Sequence, residues 1–344
     1  MKTLRLCLLA SIIAVLFGMA YLAQEQAPPA DRMADAANKF LDSLSADQKA
    51  KATYAFDSPE RTHWFFVPRQ DDQRKPTRNG LRLEEMNDTQ REAVLLLLRS
   101  GTSEAGYKQA LTIMSLEAIL NELEKPNGKM VRNTGWYFVT IFGTPAKTGK
   151  WGWRIEGHHL SLNFTIVNGQ VQSATPAFFG ANPAEIKAGP MKGQRTLAAA
   201  DDIPKELVNS LSEEQKKTAL QTKAFPEIEA NTAAKVGEPV GLVASKMTAE
   251  QKKILQRLIE SYCDRMPEYI AKAQLKMVED GGFDKIHFAY QGGLKEGEKH
   301  TCRVQGPKFV IEFLNEQADS AGNQANHIHS AWRELPSDFG LARK

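Results

Sequence analysis

The chain has 344 residues, 42% hydrophobic and 25% charged, with 44 Lys and Arg against 41 Asp and Glu. These are globular values, which exclude disordered, collagen-like and coiled-coil classes, and the near balance of charge excludes the basic stripe of a nucleic-acid-binding surface. Three cysteines exclude a disulfide framework or a Cys-rich zinc module.

Lys2 and Arg5 precede an apolar run from Leu6 to Ala23, the layout of an export signal or an uncleaved anchor. Residues 1–23 are therefore expected to carry the chain to a periplasmic or secreted location and to be its only contact with a membrane. Residues 24–36 read as a flexible segment. Cys263 and Cys302 fit either a disulfide or two buried small hydrophobes.

Ser45-x-x-Gln48, Asn87-x-x-Gln90, Ser212-x-x-Gln215 and Thr248-x-x-Gln251 have capping-box spacing, in which cap side chain and Gln each satisfy the other's backbone amide. Leu44, Met86, Leu211 and Met247 precede the caps, where a hydrophobic staple belongs. The first half is predicted to hold helices over 45–56, 87–99 and 103–125, then strands over 136–143, 151–156, 158–167 and 170–175. A Pro- and Gly-containing junction over 191–204 separates this from helices over 204–221, 248–262 and 267–279 and strands over 285–291, 300–305 and 307–315.

Residues 153–164 align without a gap on 302–313, and 138–143 on 287–292, at one offset of 149. The expected fold is therefore α+β, with two related halves, 37–190 and 205–344, each packing helices on its own small antiparallel sheet. Alternation puts Arg154, His159, Ser161 and Asn163 on one polar face, joined through a Glu156-Gly157 turn or a bulge at Gly157. In the second half Arg303, Lys308 and Glu312 form a polar face expected to lie in water.

Four of the seven histidines fall in two motifs, His158-His159 and Asn326-His327-Ile328-His329, the latter expected just beyond the second sheet. Two histidines one residue apart on an extended segment point the same way, so His327 and His329 can reach one cation. His159 is the expected third ligand, His158 its reserve, and Glu312 or Glu156 the carboxylate of the set. The histidines are not repeated at the offset, as expected of one composite site between the halves. Zinc is the first choice for such a donor set, with iron or copper possible; ordinary hydrogen-bonded histidines are the alternative. His63-Trp64-Phe65-Phe66 reads as a buried strand or as a pocket wall, and Glu117 as a solvated helical position or a carboxylate facing the sheet.

The stretches 151–164, 175–183, 326–333 and Asp338-Phe339-Gly340 resemble the signatures of domain-of-unknown-function family 3500, whose members are mostly exported bacterial proteins. The resemblance spans about residues 37–340 and departs from the family pattern near 312–317. It implies that the two histidine motifs belong together and transfers no activity.

The expected function is an exported metal-dependent enzyme, of hydrolase rather than oxygenase type. Arg154 would hold an anionic or hydroxylated group of a small-molecule or glycan-like substrate, with Glu156 beside it. A non-catalytic extracytoplasmic metal- or ligand-binding protein is the second expectation.

Overall fold

A computed structural model describes residues 28–125 and 128–341; the expected export signal lies outside them. In the first half the elements are α1 (Pro29–Asp42), α2 (Ala46–Ala52), β1 (Thr53–Tyr54), β2 (Leu81–Arg82), α3 (Asp88–Gly101), α4 (Glu104–Glu124), β3 (Phe138–Gly143), β4 (Lys150–Gly157), β5 (Leu160–Val167), β6 (Gln170–Ser173) and β7 (Ala177–Ala181). The second half holds α5 (Ala198–Ser210), α6 (Glu213–Ala219), β8 (Leu242–Val243), α7 (Ala249–Cys263), α8 (Glu268–Gly281), β9 (His287–Gly292), β10 (His300–Gln305), β11 (Phe309–Gln317) and β12 (His327–Glu334). None of the described helices is long and apolar enough to cross a membrane.

All four capping boxes form. Their glutamines do more than cap. The Gln48 and Gln90 amides bond each other, and Gln90 Nε2 also donates to the Ser43 carbonyl. Gln215 and Gln251 repeat this arrangement, with Gln251 donating to the Ser210 carbonyl. Each pair ties a short helix to a long one at their N-termini, where helical backbone groups lack partners.

The fold is mixed α+β, but the expected pair of small sheets is one 12-stranded sheet among the described residues, ordered β1-β3-β4-β5-β7-β12-β11-β10-β9-β8, with β2 on β3 and β6 on β5. Only β1 runs parallel to its neighbour. Sequence pattern reveals neither the two-residue strands β1, β2 and β8 nor the two central strands, β7 and β12. Both are buried on two faces, so neither alternates. The His327–His329 motif is thus in mid-sheet rather than beyond it.

Two further expectations change. Residues 29–36, read as flexible, lie in α1, which buries Ala30, Met33 and Ala34. The helix expected over 204–221 is two, and α5 begins at Ala198 with Pro204 inside it, so the junction is shorter than 191–204. Of the two readings of Cys263 and Cys302, the second holds: both are free and buried.

One face of the sheet packs on the helices through Trp151, Trp153, Ile155, Leu160, Val304 and Ile311. The other is covered by long connections rather than water. Trp64, Phe66, Ile228 and Phe339 form a second apolar cluster there with Phe178, Leu314 and Ala331. On the polar face of the second half Arg303 and Glu312 are therefore buried, while Lys308 is exposed as expected. Arg303 donates to the Val236 carbonyl, Gln305 to that of Gly237, and Glu312 lies beside Arg303.

Candidate metal centre

The β4–β5 hairpin pairs Gly157 with Leu160, so its two turn residues are His158 and His159, not Glu156 and Gly157. The expected register is displaced by an even step, which preserves the faces: Arg154 opposes Asn163 rather than His159, and Glu156 opposes Ser161. His159 takes a left-handed conformation, φ 62°. Its backbone is pinned on both sides, with N donating to the Phe66 carbonyl and O accepting from Gly180 N, each at 2.8 Å. A Cβ on Gly180 would lie 2.7 Å from the Ile328 carbonyl oxygen and 3.0 Å from the His159 ring, so glycine is what lets that ring lie against β7.

From β12, His327 and His329 project to one side toward this turn. His159 Nε2 lies 2.8 Å from His327 Nε2 and 3.2 Å from His329 Nε2. One ligand atom from each of the three residues lies within 4.8 Å of the others. Ring nitrogens bonded to one ion at ~2.0–2.1 Å stand roughly 2.9–3.4 Å apart at tetrahedral to octahedral angles. The two measured separations are close to that range.

The outward nitrogens aim the inward ones. His329 Nδ1 donates to Glu227 Oε2 at 2.8 Å, which leaves its Nε2 lone pair facing the centre. Glu227 is itself held by Ile228 N, 2.8 Å from Oε1. His327 Nδ1 is 3.4 Å from Asn182 Nδ2, while Asn182 Oδ1 is buried without a partner. Turning that amide over presents Oδ1 to His327 Nδ1–H and gives His327 the same tautomer as His329. Phe66 and Phe178 wall the site, with ring centres 5.3 and 5.7 Å from that of His329. Residues 63–66 form no strand; Phe66 acts as the wall, with Trp64 packed against it.

Burial, reinforced by His158, His327 and His329, pushes His159 well below the ordinary histidine pKa of 6.5. Burial and His329 push His327 down to about 2. Neutral rings with free lone pairs are the form that binds metal.

His158 turns away from the three nitrogens, although its ring centre is 3.7 Å from that of His159. Its Nδ1 bonds Glu117 and lies 3.1 Å from Arg132 Nη1. Glu117 is thus a buried carboxylate facing the sheet, not a solvated position. Burial lowers the His158 pKa against the opposing pull of Glu117.

The remaining expected residues are engaged elsewhere. The Arg154 guanidinium is buried and bonds the Glu60 and His63 carbonyls and the Glu60 carboxylate. Glu156 accepts from Phe65 N at 2.9 Å and lies 3.5 Å from Arg78. Both therefore fasten the connection over residues 56–68 to the sheet. Glu312 pairs with Arg303 and is not in the histidine cluster. The carboxylate at the centre is Glu227, which sequence reasoning missed; it lies in a long connection with no periodic signal.

No curated protein and no solved structure matches the chain. Residues 26–341 match the family model described as "Protein of unknown function (DUF3500)". That match covers nearly all of the described residues and takes in both histidine motifs, and on it the chain belongs to the DUF3500 family.

Proposed function

We propose that the protein is an exported metal-dependent enzyme of hydrolase type, with its ion held by His159, His327 and His329. The observation that carries the reading is the convergence of ring nitrogens from buried His159 and His329 and half-buried His327, two of the pairs at 2.8 and 3.2 Å. Three protein ligands leave a coordination position for water or substrate, as in catalytic zinc sites. A bound metal there would polarise a substrate oxygen or acidify water. Nitrogen-only ligation supports zinc first, with iron or copper as alternatives. The apolar run after Lys2 and Arg5 supports export.

The burial of His159 and His329 favours a second reading, a non-catalytic metal-binding protein. Metal analysis of untagged protein purified without chelator tests both; absence of stoichiometric metal, and no uptake of zinc, would end both. Cobalt substitution then separates them. A visible spectrum that shifts on adding azide indicates an open position and supports the enzyme; an unresponsive spectrum supports the binding protein.

We also infer that the halves arose by duplication. The support is the matching pairing of β3–β4–β5 and β9–β10–β11 at the offset of 149, and the recurrence of the glutamine pairs. At the same offset the Phe179–Ser330 and Ala181–Ile328 pairs exchange around Gly180–His329, as across a local twofold axis.

A further inference from the structure

On the helix-bearing face a cavity of about 670 Å³ opens between the start of α5, the 184–195 segment and the turns near 294–297 and 323–326. Two strand residues lining it, His300 and Asn315, oppose each other across β10–β11. At the same place in the β4–β5 hairpin stand Trp151 and Ile166, also directly opposed and fully buried. A hairpin of this shape is therefore built elsewhere in the same chain from an apolar pair.

The polar version is carefully satisfied. His300 Nε2 meets Asp201 Oδ1 at 2.7 Å, and Nδ1 meets the Glu298 carbonyl at 2.9 Å. Asp201 also accepts from Lys205 and Arg195. Burying such groups costs free energy even when they are bonded, and packing does not require them here. Their presence around an open volume points to a ligand.

The charges say which kind. Lys187 is paired with Glu185 and Glu296, Arg195 with Asp201 and Asp202, and Lys205 with Asp201. These pairs leave no charge among them without a partner, so nothing in the lining calls for a charged ligand. Hydroxyl groups need break none. They can bond the spare lone pairs of the carboxylates and the amides of Asn323 and Gln324, and bonds to charged groups are the stronger kind. The volume is within the roughly 300–1,000 Å³ typical of small-molecule sites.

We propose that this cavity binds a neutral polyhydroxylated ligand of saccharide type. The proposal does not rest on the metal reading: His300 and Asn315 project to the sheet face opposite His327 and His329, although Asn315 Oδ1 also accepts from His327 N. Saturation-transfer NMR on the folded chain tests it with glucose, maltose, cellobiose and diacetylchitobiose, against glucuronate, glucosamine, free glycine and inorganic phosphate. Transfer to at least one neutral sugar is expected, with none or much less to the charged probes. Ala198→Trp, which fills the cavity without removing a hydrogen-bonding side chain, should weaken that binding at least tenfold with the thermal midpoint unchanged. If that variant does not fold, Gln324→Ala on the exposed turn should weaken binding at least threefold. No transfer to any of the neutral sugars, preference for a charged probe, or unchanged affinity in the folded variant would overturn the proposal.

Discussion

His159 sits where a hairpin turn normally calls for glycine or asparagine. Its left-handed backbone costs about 1–2 kcal/mol for an ordinary side chain. A strained residue held between the Phe66 carbonyl and Gly180 is explained if its side chain is needed there. His159→Asn should therefore leave the metal-free protein as stable as before or up to about 1 kcal/mol more stable, while abolishing metal binding; urea unfolding and metal analysis check the two halves of this expectation. Glu227→Gln should keep the fold and weaken metal binding about 10- to 100-fold, because the carboxylate sets the His329 tautomer. Competition with a chromophoric chelator measures that loss, and an unchanged affinity would deny Glu227 its orienting role. The three clustered histidines were legible in the sequence because period-two spacing aims His327 and His329 together and a turn frees His159 from the sheet. Glu227 was not, and Glu117 stood between two readings. One lies in a long connection, and the other occupies a helical position whose burial depends on which sheet residue it meets.

At the scale of elements, the capping boxes could be read directly, since each is a local contact between a cap and the residue three further on. The cross-bonding of Gln48 to Gln90 and of Gln215 to Gln251 was hidden, because it joins helices about forty residues apart in sequence. Gln251 is buried and makes bonds to the Thr248 and Ser210 backbone as well as to Gln215. Gln251→Ala should cost about 1–3 kcal/mol by stranding these groups, and Gln90→Ala a similar amount. The two losses should add within ~0.5 kcal/mol, since the sites share no partner; a large departure in denaturant titrations would show the glutamine pairs to be coupled. Strands β7 and β12 escaped for a different reason. Ala177-Phe178-Phe179-Gly180-Ala181 and the run from His327 to Glu334 are covered on both sides, so polar and apolar residues do not alternate along them.

For the whole molecule, the Asp201 cluster is expected to contribute to acid stability. Burial alone would raise the Asp201 pKa, but the hydrogen bond and charge of His300, with Lys205, hold it below its ordinary 3.8. The folded carboxylate binds protons less readily than the unfolded one. Its contribution is therefore complete above about pH 4 and lost as pH falls through the folded value. Asp201→Asn should lower stability by about 1–3 kcal/mol at neutral pH, and the gap to the parent protein should narrow below pH 4. Thermal midpoints across pH 2–7 read this, and a gap independent of pH would remove Asp201 from the acid response.

The continuous sheet carries the last expectation. Because β7 and β12 pair along five residues, neither half can lose its central strand without exposing a long unpaired edge in the other. The halves should therefore unfold together. Trp151 and Trp153 report on the first half, and Trp332 on the central strand. Far-UV circular dichroism also follows the second-half helices, and it should give the same urea midpoint as tryptophan fluorescence. Zinc should then raise the single transition as a whole, because its ligands come from the β4–β5 turn on one side of the seam and from β12 on the other. Free zinc at 100 times Kd should add about 2.7 kcal/mol to both signals. Two separated transitions, with zinc moving only one, would mean that the seam does not couple the halves and that the metal site is confined to a part of the sheet that folds alone.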